Sequence, residues 1–233
     1  LALTLQRPPA IMRRMTQLIL IRHGETAWNR ERRFQGQTDI DLNDAGRLQA
    51  RRLADALAGE RIDHLYSSDL KRALQTAEPT ALRLGLRPVA DAGLREQHFG
   101  PFEGLLASEV PHKLPEVWAQ WVRHDPHYAA PGGESLHRFF ERVLGTLRRI
   151  AAAHRGQTLL IVTHGGALDM VWRAVHGHTL AGPRDCAIPN CGINRLRLEG
   201  DALHIEQWAD DAHLQGLPAQ PSTVPASVAF SAA

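Results

Sequence analysis

Two stretches run a hydrophobic strand directly into a histidine: QLILIRHG at residues 17–24 and TLLIVTHGG at 158–166. Each histidine is followed by glycine, whose missing side chain lets another group approach the backbone. In open α/β sheets ligands bind beyond the carboxyl ends of the strands, at a switch in strand order, so His23 and His164 are placed to face one cleft. Arg22 stands beside the first. Arg72 follows the strand IDHLYSS by about one helical turn, and Glu96 follows the strand LRPVA within LRE. Two histidines, two arginines and a glutamate from four strand ends suit phosphoryl transfer from a monoester. Its phosphate carries about −1.5 to −2 charge at pH 7 and requires several fixed positive donors. An imidazole can attack phosphorus to give a phosphohistidine if a proton donor serves the departing alkoxide. Glu96 is the nearby candidate for that donor, and a carboxyl beside phosphate in a partly closed pocket is expected to have a raised pKa.

Alternating strands and helices carry these residues, the pattern of an α/β fold. We expect a three-layer sandwich with a mostly parallel central sheet, one antiparallel edge strand, helices on both faces and a small cap insertion. QLILI is the first strand, followed by a long loop to Leu42 and a helix capped by Asn43 whose Ala50, Leu53, Ala54 and Leu57 share one face. Ser68 or Asp69 starts the next helix, which Pro79 kinks or ends. Residues 97–133, with Trp118, Trp121, Tyr128 and a Gly-Gly pair, read as the cap. The i, i+3 tryptophans are assigned to a core rather than to ligand stacking. A long helix spans Glu134 to His154, TLLIVT is central, and GINRLRLEG with LHIEQWA form a closing hairpin at one edge.

The 233 residues are 43% hydrophobic and 22% charged, with a formal net charge of +2. That composition fits one globular domain, taken as 15–213, between a disordered extension at 1–14 and a loose Pro/Ser/Ala-rich tail at 214–233. The small net charge excludes a nucleic-acid binder. No apolar run of about 18 residues marks a membrane span, and Cys186 and Cys191 form no Cys-x-x-Cys pair, so a reduced, cytoplasmic protein is expected.

LILIRHGETAWN resembles the Arg-His-Gly-Glu motif of the histidine phosphatase superfamily, the phosphoglycerate mutase-like group. The likeness continues in order through FQGQTDIDLNDAGRLQA, LYSSDLKRALQTA, LREQHFGPFEG, PGGES and LLIVTHGG. The resemblance implies that His23 is the phosphorylated nucleophile and Glu96 the general acid and base. It implies that Arg22, Arg72 and His164, the last as imidazolium, clamp the phosphoryl oxygens, and that Asn29 adds a neutral donor. Gln35 and Gly36 would border the substrate, and Gly165 would offer a backbone N–H. Neither cofactor nor metal is implied, because the cations do the work of metal ions in other phosphatases.

Other residues read more plainly. Glu25 is assigned to holding a neighbouring arginine, and Arg32, Arg33, Arg47, Arg51 and Arg52 to solvated faces or salt bridges. His176 and His178 are placed at a helix end, not in a metal site. His98, His112, His124 and His127 are assigned to solvent, and Asn190 with Cys191 to architecture. The leading expectation is a histidine acid phosphatase-type phosphomonoesterase acting on a small-molecule phosphomonoester. LREQHFGPFEG resembles the phosphatase branch, and the cap has only Lys113 and Arg123 where dedicated mutases carry a longer insert bearing a lysine and paired arginines. A phosphoglycerate mutase is the runner-up and a non-catalytic phospho-ligand binder the third reading. Pairing of the last hairpin would give a homodimer, while a monomer fits equally.

Overall fold

The computed structural model describes residues 15–221; the extension at 1–14 and the tail beyond 221 lie outside the described residues. In chain order the elements are β1 (Thr16–Arg22), α1 (Ala27–Glu31), α2 (Asp44–Ala56), β2 (His64–Ser67), α3 (Lys71–Leu84) and β3 (Pro88–Ala90). There follow α4 (Val110–Lys113), α5 (Pro115–Trp121), α6 (Leu136–Ala153), β4 (Thr158–Thr163), α7 (Gly165–His176), β5 (Ile193–Glu199) and β6 (Ala202–Asp210). The six strands lie in the order β3-β2-β4-β1-β5-β6. β3, β2, β4 and β1 are parallel, and β5 pairs antiparallel with both β1 and β6. The closing hairpin therefore sits at the edge as expected, and its inner strand β5 is the one that runs against the rest.

β1 is buried on both faces because the two-residue period divides it between two cores. Leu18 and Leu20 pack with Leu159, Ile161 and side chains of α6 and α7, whereas Ile19 and Ile21 pack with Leu160, Val162 and side chains of α2 and α3. α3 presents Ala73, Ala77 and Ala81 to this second core, a small-residue stripe that brings the helix close to the sheet. A third cluster lies in the cap, where Phe102 and Val110 pack with Phe99, Trp118 and Trp121. The tryptophans thus fill the cap's own core.

Several local expectations change. The loop after β1 contains α1, whose N-cap Thr26 forms a capping box with Asn29. α3 begins at Lys71 with Leu70 as N-cap, not at Ser68 or Asp69, because those side chains serve His164 and Arg95 instead. It also passes through Pro79 to end at Gly85 in the left-handed conformation. The start of the supposed loose tail is packed: Leu217 joins the second core, and the Gln220 side chain exchanges hydrogen bonds with the Asn190 backbone at 2.7 and 3.0 Å.

Leu144, 1% exposed in α6, and Leu82, 78% exposed in α3, give a paired test of this burial. Leu144→Ala is expected to cost about 2–5 kcal/mol and Leu82→Ala under about 0.5, read as midpoint shifts in urea unfolding.

Candidate active site

The register of the two central parallel strands creates the site. Arg22 of β1 is paired with Thr163 of β4, so the next residues, His23 and His164, emerge side by side with ring centroids 5.1 Å apart. His23 Nδ1 lies 2.7 Å from the carbonyl oxygen of Gly24. A carbonyl only accepts, so Nδ1 carries the proton and Nε2 holds the free lone pair. Burial first, then the Arg72 and Arg22 charges, push the His23 pKa well below the usual histidine range. His164 is fully buried against it, with Nε2 2.8 Å from Ser68 Oγ. Burial and the neighbouring cations hold His164 neutral as well, which corrects the expected imidazolium.

Three of the guanidiniums at the site are fixed by backbone or by a shared carboxylate. Arg22 donates from Nη1 to Ile188 O at 2.8 Å, and Arg72 donates to Thr38 O at 2.9 Å and Gly36 O at 2.6 Å. Burial lowers both pKa values to about 10, helped for Arg22 by the charge of Arg184, so both remain cationic near neutrality. Arg184 reaches the same place from the loop before β5: a Cβ on Gly165 would lie 3.3 Å from Arg22 Nε and 3.5 Å from Arg184 Nη1. The Nε atoms of Arg22, Arg72 and Arg184 are buried without a hydrogen-bond partner. Unmet donors of this kind, in a cavity of about 360 Å³, are suited to an anion.

Glu96 enters from the loop after β3. Its Oε2 accepts from Gly166 N at 2.8 Å and its Oε1 from Gln97 N at 2.9 Å. The segment is held by Arg142, which donates to the carbonyls of Gly93, Arg95 and Glu96 while forking onto Glu134. Glu103 plays the corresponding part for the 35–38 turn, accepting from the backbone N–H groups of Gln37, Phe99 and Thr38. Gly36 is required there: its φ is +52° and a Cβ would fall 2.0 Å from Glu103 Oε1.

Arg22, His23, Asn29, Gln35, Arg72 and Glu96 all line the cavity, as does Gly165. Gly36 and His164 do not; each stands behind it, Gly36 through its carbonyl on Arg72 and His164 against His23. Arg32 and Arg33 also line the cavity, and Arg33 makes a salt bridge of the kind expected of it, with Glu31. Glu25 takes the structural role expected of it, forking with Arg30 at 2.9 and 2.7 Å. Sequence reasoning missed Arg184, Arg142 and the reach of Asn190, which donates to His23 O at 2.8 Å and contacts Asn29. The available signal for Asn190 was its place at the entrance to the strand that pairs with β1. Among the described residues no cluster of His, Cys, Asp or Glu could hold a metal ion, and His176 and His178 are exposed at the end of α7.

This constellation on this sheet agrees with the sequence profile of the histidine phosphatase superfamily (branch 1), which matches residues 18–211. The chain belongs to that superfamily. Phosphoglycerate mutase-like protein 4 of Arabidopsis thaliana is 40% identical over 203 residues, covering 85% of this chain and 87% of the relative. The metal-independent phosphoserine phosphatase of the same plant is 35% identical, covering 87% and 85%. Among solved structures, Bacillus stearothermophilus YhfR superposes with a TM-score of 0.77 at 33% identity, covering 86% of this chain and all of that one. The superfamily comprises phosphatases and mutases, and this chain is an enzyme of that group.

Both histidines are neutral in the folded protein but have ordinary values when unfolded, so the unfolded chain binds more protons below about pH 6.5. Stability is therefore expected to be full above that pH and to fall as the pH drops below it. Each histidine contributes about 1.4 kcal/mol per pH unit. Urea titrations from pH 7.5 to 5 should show this slope, and His23→Asn should remove about half of it.

Proposed function

We propose that the protein is a phosphomonoesterase of the histidine acid phosphatase type, hydrolysing a small phosphorylated metabolite through a phosphohistidine. The observation that carries this reading is the neutral His23, anchored through Nδ1 and lining a cavity that is also lined by five guanidiniums, those of Arg22, Arg32, Arg33, Arg72 and Arg184, and by one carboxylate. In the first step the Nε2 lone pair attacks phosphorus. The bond from phosphorus to the alcohol oxygen breaks, and that oxygen takes a proton from Glu96. In the second step water attacks phosphorus and gives its proton to Glu96, and the N–P electron pair returns to Nε2. Arg22 and Arg72 hold the non-bridging oxygens throughout, because their charges match what develops on the transferred group.

Supporting hydrolysis over transfer, the cap contributes no basic residue to the cavity: Lys113 is exposed and paired with Glu109, and Arg123 is exposed. Mutase activity is the second reading, favoured by relatives named probable phosphoglycerate mutase, at 36% identity for that of Cronobacter sakazakii. The free, buried Cys186 and Cys191 suit a reducing compartment such as the cytoplasm, and no helix among the described residues is long and apolar enough to cross a membrane.

Release of phosphate from p-nitrophenyl phosphate is expected, falling by at least about 10³-fold in His23→Ala. Acid-labile label from a ³²P-monoester should appear on the wild type and not on that variant. Rapid interconversion of 3- and 2-phosphoglycerate without net phosphate release would instead establish the mutase. In Glu96→Gln, alkyl phosphates are expected to slow roughly 10²-fold or more while p-nitrophenyl phosphate, whose leaving group needs little protonation, slows far less. Equal slowing of both would remove Glu96 from the acid's role.

A further inference from the structure

The two neighbouring histidines are held in different ways. Both rings are neutral and buried, and both leave adjacent strand ends in the same register, so each has a lone pair that phosphorus could meet. His23 is held through Nδ1 by the Gly24 carbonyl, which leaves its Nε2 open. His164 is held through Nε2, 2.8 Å from Ser68 Oγ, and its Nδ1 is buried without a hydrogen-bond partner.

A hydroxyl both donates and accepts, so the contact between Ser68 and His164 has two possible directions. The protons around Ser68 choose between them. Ser68 is fully buried just beyond β2, and the other polar atom bonded to its Oγ is Leu70 N at 3.4 Å, which can only donate. Among the described residues, the acceptor left for the hydroxyl hydrogen is His164 Nε2. If His164 donated instead, Oγ would receive two hydrogens while its own was buried unpaired, an arrangement that folded proteins avoid. The hydroxyl therefore donates, Nε2 accepts, and the His164 proton stands on Nδ1.

We propose that Ser68 is a positioning residue that divides the labour between the two histidines. By donating to Nε2 it occupies the lone pair that would make His164 a rival nucleophile, and it fixes that ring as an Nδ1–H donor for the phosphoryl group on His23. The proposal rests on the reading above in which His23 takes the phosphoryl group. Transfer to His23 brings anionic oxygens beside a ring 5.1 Å away whose one N–H is unpaired within the protein. A donor already fixed in direction stabilises those oxygens without reorganising during the step.

Histidine-selective ¹⁵N labelling with long-range proton–nitrogen correlation near neutral pH reads the tautomer directly, the His164 signals being assigned by their loss in His164→Asn. In the wild type His164 Nδ1 is expected in the protonated range and Nε2 in the unprotonated range, and inorganic phosphate should move the Nδ1 signal. Ser68→Ala is expected to give mixed tautomers at His164 and to lower kcat/KM for p-nitrophenyl phosphate by roughly 10-fold. Ser68→Thr keeps the hydroxyl and should restore both, with folding of the variants checked by circular dichroism. A wild-type His164 protonated at Nε2 would overturn the proposal. So would a Ser68→Ala spectrum unchanged at His164, even with activity lost, because that result assigns Ser68 to the start of α3 through Leu70. Mixed tautomers with full activity would overturn it as well, by removing the tautomer from catalysis. Failure to hydrolyse any phosphomonoester would instead overturn the hydrolase reading, while the spectrum still decided the tautomer.

Discussion

Buried positive charge is the constraint around which this molecule is arranged. A guanidinium taken out of water loses its hydration, and a second one beside it adds repulsion. Arg22 and Arg72 accept both costs, which is why each is bonded to carbonyl oxygens rather than to carboxylates. A carboxylate partner would neutralise the charge and compete with an incoming phosphate. A carbonyl dipole fixes direction and leaves the net charge available. The carbonyls must then be held in turn. Glu103 gathers the turn that presents Gly36 and Thr38, and the β5 entrance presents Ile188. The carboxylates that would otherwise quench the site are spent one layer out, on Arg30, Arg142 and Arg173.

The same field acts on the histidines. Arginines that would hold a phosphoryl group also suppress protonation of His23 and His164, and suppression is what a nucleophile needs, since an imidazolium has no lone pair to offer. Electrostatics and hydrogen bonding therefore select one species, the neutral ring with its proton on Nδ1. An arriving phosphate dianion works in the opposite direction on both rings.

The parts of this arrangement that were legible in the sequence are those set by chain-local rules. Arg22, His23 and His164 stand at the ends of apolar runs that read as central strands, and parallel neighbours in register necessarily deliver both histidines to one edge. Asn43 could be read as an N-cap from its place before an amphipathic helix. What was not legible depends on distant segments meeting. Arg184 lies in a loop with no periodicity, and its significance comes from Arg173 fastening that loop, a contact made of carbonyls that sequence does not display. Gln220 falls in a stretch with tail-like composition, yet one amide side chain fixes it to Asn190 and brings Pro221 to the cavity wall. The helix start expected at Ser68 failed for a related reason: its hydroxyl, the natural cap, is turned to His164.

The cavity at the strand ends shares Phe34, Glu96, Phe99 and Arg184 with a second cavity under the cap. Arg22, His23 and Arg72 line the first cavity and not the second, while Glu96 lines both. On the hydrolase reading proposed above, discrimination among alcohols falls to residues that stand off the strand ends. Arg184 satisfies that condition. It is carried by a loop outside the sheet, it touches both cavities, and its anchor to Asp169 and Arg173 runs through α7 rather than through the strands that set His23 and His164. Replacing such a residue changes the charge where the two cavities meet while the register that pairs the histidines is preserved. On the hydrolase reading proposed above, the geometry of phosphoryl transfer and the selection of substrate are thus built on different layers of the fold.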